Sequence, residues 1–224
     1  MKYHVSFNLE FLKNTNKGTF IAIEGIDGSG KSTQVKILKK YYTKRKKAVI
    51  TTHEPTRSGH VGKLIHNILQ SKVKVPASSL QHLFAADRSI HQQEIVIPNL
   101  KLGSYVISER CFWSSLPYGL ADKNISDYNN SLNVLLSAYG LLSMYNQFVV
   151  PDYTFFLDIP VKESVKRLGL MDKQKEIYEK KEKLDLIYKG YQFLLAKFPK
   201  EFVVIDGIQS EEKITKQITD YLNI

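Results

Sequence analysis

Cysteine is nearly absent from this 224-residue chain. Its single Cys111 excludes an internal disulfide framework and any multi-cysteine metal site, and it points to a reducing compartment, so the expected location is the cytoplasm. Long hydrophobic runs are missing as well, and none approaches the ~18 residues that a membrane span needs. The opening stretch MKYHVSFNLEFLKNTNKG does not read as a secretory signal, because Asn8 and Glu10 interrupt its apolar residues and no small-residue cleavage site follows. Residues 1–18 read instead as an extension ahead of the domain proper. Arginine is scarce: of 32 basic residues only Arg45, Arg57, Arg88, Arg110 and Arg167 are Arg, and the other 27 are Lys. Lysine serves solvated surface charge, whereas arginine offers phosphate a planar fork, so the few arginines outside the basic run around Arg45 carry individual weight. The net charge of +10 suits nucleic acid or small phosphorylated substrates alike. His53, His60, His66, His82 and His91 show no metal-ligand spacing and read as surface or core residues.

What is present is a regular alternation. Short β-type runs at 19–25, 48–52, 104–108, 152–159 and 202–206 are separated by longer amphipathic stretches, the pattern of a parallel sheet with crossover helices. Helices are predicted over 32–45, 60–70, about 80–97, 131–147, 160–170, up to about 198, and 210–222. The third is expected to be capped by Ser78 or Ser79 and to stop at Pro98. No repeat and no Pro/Gly/Ser-rich linker divides residues 19–224, which read as one domain.

After the first strand comes Gly25-Ile26-Asp27-Gly28-Ser29-Gly30-Lys31-Ser32, a full G-x-x-x-x-G-K-[ST] match in the strand–loop–helix context that this motif requires. Its glycines permit a tight loop with backbone close to phosphate. The loop N–H groups and the helix N-terminus attract phosphate oxygens, Lys31 reaches the β and γ phosphates, and the Ser32 hydroxyl is a magnesium ligand. No N-K-x-D guanine reader is present, which argues against a GTPase. Arg57 follows the second strand and Arg110 the third, so both lie at the carboxyl edge of the sheet, where open α/β sheets bind ligands. Two arginines converging beside a phosphate loop suit a second anionic substrate. The alternative is that each pairs with a neighbouring acid, Glu54 or Glu109.

HEPTR (53–57), FAADRSIH (84–91), SERCFWSSLPYG (108–119) and PDYTFFLDIP (151–160), with FIAIEGIDGSGKST in front, occur in an order that resembles thymidylate kinase over about residues 19–222. The resemblance implies a P-loop three-layer α/β fold. Its five-stranded parallel sheet has the order 2-3-1-4-5, with helices on both faces and a short lid near 171–183. It implies phosphoryl transfer from ATP to dTMP with Mg²⁺, giving dTDP and ADP, in a protein that often forms homodimers. Gly25, Ile26, Asp27, Gly28, Ser29, Gly30, Lys31, Ser32 and Thr33 then hold ATP. Ser32 ligates the metal, with Glu109 reaching it through water. Arg57 and Arg110 hold the acceptor phosphate, Phe84 stacks on thymine and Arg88 donates to its carbonyl. Ser115 faces the base, and Tyr118 crowds the 2′ position of the sugar. Asp27 organises the acceptor end beside Lys31 and Arg110. For Phe84 and Arg88 the competing reading is a core ring beside an ion pair with Asp87 or Glu94. For Ser115 it is a solvated loop serine, and for Tyr118 a core tyrosine.

The chain departs from the family pattern in four places. It reads Glu109-Arg110-Cys111 where Asp-Arg-Tyr is common, and Tyr118-Gly119 where Tyr-Gln is frequent. Gly28-Ser29 stand where some members carry arginine, and 171–183 hold no arginine. Lys173 or Lys175, aided by Arg167, are therefore the candidate lid cations. Cys111 reads as a buried small residue, the alternative being a thiol with its pKa lowered by Arg110. The remaining function readings are a kinase of another nucleoside monophosphate or of a deoxynucleoside, and a P-loop nucleic-acid-binding protein. Against the last, the basic runs look like solvated faces, and no nucleic acid is expected as a partner.

Overall fold

The computed structural model of the chain describes residues 10–125, 132–169 and 176–222. Five strands form one parallel sheet: β1 (Thr19–Glu24), β2 (Val49–His53), β3 (Tyr105–Glu109), β4 (Tyr153–Asp158) and β5 (Val203–Asp206), in the order β2-β3-β1-β4-β5. β1 lies between β3, where Ile23 faces Glu109, and β4, where Glu24 faces Phe156. Covered on both faces, β1 reads as a continuous apolar run, as central parallel strands do. Its alternate residues point to opposite faces of the sheet. Ile21 and Ile23 pack with Val35, Leu38, Ile214 and Ile218 from α1 (Lys31–Lys44) and the C-terminal helix (Glu211–Tyr221), whereas Ala22 joins the larger cluster on the opposite face.

Between β2 and β3 run α2 (Gly59–Leu69), α3 (Ala77–His91) and α4 (Ile97–Lys101). Helix α3 starts directly after Pro76, so Ser78 and Ser79 lie in its first turn and do not cap it. The expected stop at Pro98 is overturned: the helical path continues through a π-helical turn, Gln92–Val96, into α4, with Pro98 near the N-terminus of α4. Proline lacks an N–H and collides with the carbonyl four residues back, and a wider π turn relieves both problems. A helix not expected from the sequence, α5 (Ser115–Asp122), follows β3 after a 3-10 turn and is almost wholly buried, which hides the polar face that periodicity needs. The helical stretch at 131–147 is described as α6 (Leu132–Leu142) followed by a 3-10 turn at Ser143–Tyr145. Helix α7 (Val161–Gly169) follows β4, α8 (Lys181–Lys197) precedes β5, and α9 (Glu211–Tyr221) closes the fold. Within the N-terminal stretch, Leu12 bridges Val149, and Phe11 packs 5.1 Å from Phe112 and 5.4 Å from Trp113. Among the described residues no helix is long and apolar enough to cross a membrane.

Candidate active site

The loop after β1 turns sharply because its glycines take positive φ. Gly25 has φ 145°, and a Cβ there would lie 2.6 Å from Ser29 Oγ and 2.8 Å from the Leu157 carbonyl. Gly30, at φ 97°, opens α1. Lys31 folds back over this loop, donating from Nζ to the Ile26 carbonyl at 2.9 Å and standing 3.8 Å from Asp27. Burial, with the Arg110 charge nearby, pushes the Lys31 ammonium down to about 8. Ser32 Oγ donates to Glu109 Oε2 at 2.7 Å, joining the loop to the end of β3. A cleft of about 540 Å³ runs along this edge and takes in residues 27–34, Arg57, Glu109, Arg110 and Arg167.

Arg110 occupies a backbone conformation that L residues rarely adopt, φ 69°. It is held there by a hydrogen bond from its N–H to Ile23 O and by one from Ser108 Oγ to its own carbonyl. Such strain costs about 1–3 kcal/mol and turns the side chain toward the phosphate loop. The guanidinium donates to the Gly25 carbonyl, Ser114 Oγ, Tyr191 Oη, Asp27 Oδ1 and Tyr118 Oη. Glu24, fully buried at the end of β1, accepts from the Cys111 N–H, Ser114 Oγ and Tyr191 Oη, which anchors the turn carrying Arg110. Cys111 is buried, and desolvation together with Glu24 raises its thiol pKa well above normal, so the lowered-pKa alternative is overturned.

Arg57 is exposed and lines the same cleft. Glu54 does not pair with it, and Glu109 does not pair with Arg110. Glu54 instead accepts from Arg88 Nε at 2.7 Å and from His91 Nδ1 at 2.9 Å. Burial pulls the Glu54 carboxyl upward, but the His91 hydrogen bond and the Arg88 charge outweigh it and hold the group below the ordinary carboxylate value. Asp87 is taken up by the N–H and hydroxyl of Thr56, so neither acid named for Arg88, Asp87 or Glu94, is its partner.

A second, smaller pocket of about 70 Å³ opens between α3 and α5 and is lined by Phe84, Arg88, Ser115 and Tyr118 together with Asp27 and Arg110. The Arg88 guanidinium carbon stands 5.5 Å from the Phe84 ring centroid. Ser115 is no solvated loop serine: it is buried in α5, accepts from Arg88 at 2.7 Å and bonds Tyr145 at 2.8 Å. Tyr118 is buried, but its hydroxyl faces Arg110 and stands 3.4 Å from Asp27. Arg167 forms an ion pair with Glu163 and donates to the carbonyls of Gly28 and Gly207, tying α7 to the phosphate loop. Lys173 and Lys175 lie outside the described residues. The far end of the expected lid is anchored, with Ile177 N–H bonded to the Leu69 carbonyl and Tyr178 to Asp122, and 181–183 already belong to α8.

Glu24, Tyr191, Tyr145 and Tyr178 were not singled out from sequence. An acid inside an otherwise apolar strand marks Glu24 as a candidate. Nothing in the local spacing marks the tyrosines, which arrive from distant elements. Among the described residues no cluster of three or more His, Cys, Asp or Glu could hold a metal.

A family model described as thymidylate kinase matches residues 23–218. A probable thymidylate kinase of Pyrococcus horikoshii is 36% identical over 208 residues, covering 90% of this chain and 94% of that protein. The thymidylate kinase of Prochlorococcus marinus strain NATL1A is 36% identical over 210 residues, with the same coverage. A solved thymidylate kinase structure from Candida albicans superposes with a TM-score of 0.77 at 26% identity, over 94% of this chain and 93% of that one.

Proposed function

The chain belongs to the thymidylate kinase family, and on that premise we propose how its residues carry the reaction. The enzyme transfers a phosphoryl group from ATP to dTMP, giving ADP and dTDP. The carrying observation for the residue roles is the contact between Arg110 and Asp27, which joins the phosphate loop to an arginine-bearing pocket in one cleft. Residues 25–33 cradle the ATP phosphates, and Lys31 meets the transferring group. Arg57 and Arg110 hold the dTMP phosphate. Phe84 stacks on the base, Arg88 donates to its 4-carbonyl, Ser115 supports Arg88, and Tyr118 crowds the 2′ position. Asp27 orders the acceptor end, since phosphoryl transfer needs positioning and charge neutralisation more than a strong base.

Ser32 Oγ and the Glu109 carboxylate, 2.7 Å apart at the cleft, are hard oxygen donors that fit Mg²⁺, with Glu109 acting through water. A magnesium ion held by these residues would supply charge neutralisation to the transferred phosphoryl. The domain comprises residues 19–224 behind the extension 1–18, with the lid at about 171–183. The enzyme works in the cytoplasm as a homodimer, a state favoured by Leu135 and Leu136, exposed on the apolar helix α6. Leu136→Glu should shift its sedimentation coefficient to that of a monomer. An ADP-release assay across dTMP, dUMP, dCMP, dGMP, AMP and thymidine tests the acceptor assignment. The highest kcat/KM should fall on dTMP, and a better rate on any purine monophosphate would overturn the pocket reading.

Phe84→Ala should weaken dTMP by about 1–3 kcal/mol, the usual scale of base–aromatic stacking. Arg88→Ala should narrow the dTMP/dCMP ratio in kcat/KM, because the 4-carbonyl loses its donor. An unchanged ratio would leave Arg88 as a structural ion pair with Glu54. For the lid, Lys173→Ala or Lys175→Ala should lower kcat at nearly constant KM for ATP, the mark of a cation acting on the transition state. Arg167→Ala should instead raise KM for ATP, since it releases the loop carbonyls from α7. Should all three variants hold kcat within about twofold, roughly 0.4 kcal/mol, the transition-state cation lies elsewhere.

A further inference from the structure

Gln81 lies seven residues before Arg88 and three before Phe84, so all three share one face of α3, and all three line the small pocket. It is 5% exposed. Its amide Nε2 donates to Asp122 Oδ2 at 2.8 Å, and Tyr178 Oη donates to the same oxygen at 2.8 Å. A carboxylate only accepts, so Asp122 dictates which way the Gln81 amide lies: nitrogen toward Asp122, oxygen away from it. That oxygen, Oε1, is buried and has no hydrogen-bond partner among the described residues. Proteins seldom leave a buried acceptor unpaired, and Gln81 belongs to the wall of a pocket that also holds an aromatic ring and an arginine, where a bound ligand can bring the missing donor.

We propose that Gln81 is a specificity-determining residue whose Oε1 accepts the N3–H of the acceptor base, held in that orientation by Asp122 and Tyr178. The inference rests on assigning this pocket to the acceptor base. Thymine presents only one N–H donor, at N3, between two carbonyl oxygens. Arg88 stands at the start of α5 against Ser115, and Gln81 at its end against Asp122. Arg88 and Gln81 thus reach the pocket from opposite ends of α5, and the proposal pairs the Arg88 donor with O4 and the Gln81 acceptor with N3–H of a pyrimidine stacked on Phe84. Cytosine inverts both: its 4-amino group faces the Arg88 donor and its bare N3 faces Oε1. Ser115 Oγ does not compete for the role, being engaged by Arg88 and Tyr145. Uracil carries the same edge as thymine, so Gln81 does not separate the two.

The test is kcat/KM for dTMP, dUMP and dCMP, with KM for ATP, in the wild type, Gln81→Leu, Asp122→Asn and Phe84→Ala. Gln81→Leu should lower dTMP about tenfold and narrow the dTMP/dCMP ratio at least fivefold. The dTMP/dUMP ratio and KM for ATP should stay within twofold. Asp122→Asn, which lets the amide turn, should move the dTMP/dCMP ratio in the same direction by less, and it carries the test should Gln81→Leu fail to fold. N3-methyl-dTMP adds a check from the ligand side: its penalty relative to dTMP should be larger in the wild type than in Gln81→Leu. An unmoved dTMP/dCMP ratio in Gln81→Leu, with dTMP still weakened by Phe84→Ala, overturns the role of Gln81 and leaves the pocket assignment standing. Loss of neither overturns the pocket assignment itself.

Discussion

Lys31→Ala is expected to abolish turnover while leaving the fold intact, with kcat reduced by a factor of about 10³ or more. The ammonium is asked to neutralise charge on the transferring phosphoryl inside a buried loop, a contribution of several kcal/mol where water is excluded. No strand or core cluster depends on it, since its hydrogen-bond contact is the Ile26 carbonyl within the same loop. The same residue carries a pH signature. Burial and Arg110 favour the neutral amine and bring its pKa to about 8, whereas a bound phosphate favours the ammonium and raises it. ATP binding should therefore take up a proton near and above pH 8, and KM for ATP should climb as pH rises through that value. Calorimetry in buffers of different ionisation enthalpy measures the uptake, which should vanish in Lys31→Met. Wild-type turnover in a well-folded Lys31→Ala would falsify the assignment of this loop to the transferred phosphate.

Arg110→Ala should weaken dTMP far more than ATP, and more than Arg57→Ala does. Each substitution removes a charge-assisted contact of about 1.5–3 kcal/mol, roughly tenfold or more in affinity. Arg110 has a second role, because its guanidinium also engages Asp27 and Tyr118. Its removal leaves the Asp27 carboxylate without its closest cation, so kcat should fall along with dTMP affinity. Arg57 is exposed, and its loss should appear almost entirely in KM for dTMP. Separate titrations of ATP and dTMP decide the matter. If ATP binding weakened and dTMP binding held, the two phosphate sites would have to be exchanged.

The strands and the phosphate loop were legible because their causes are local. Apolar β-type runs separated by amphipathic stretches specify a parallel sheet, and a glycine-rich octamer specifies its own loop through the φ angles that Gly25 and Gly30 permit. The order β2-β3-β1-β4-β5 followed from the family resemblance, and the strand pairing agrees with it. Helix α5 was not legible, because a helix buried on all sides shows no amphipathic period. The passage of the α3 path through Pro98 was hidden for a different reason: whether a proline ends a helix depends on whether a π turn and the surrounding packing absorb the missing N–H.

By itself the sequence determined that a phosphate loop follows the first strand, that Arg57 and Arg110 stand at the sheet's carboxyl edge, and that Phe84 and Arg88 fall on one helical face. Only the tertiary structure decided the partners. Glu54 goes to Arg88, 34 residues away, and not to nearby Arg57. Tyr191 crosses 167 residues to reach Glu24. Asp122 orients Gln81 from 41 residues away and leaves its oxygen unpaired. A backbone motif is written in neighbouring dihedral angles and survives reading in one dimension. A buried charge takes its partner from whatever packing brings within about 3 Å, and low dielectric makes that choice count.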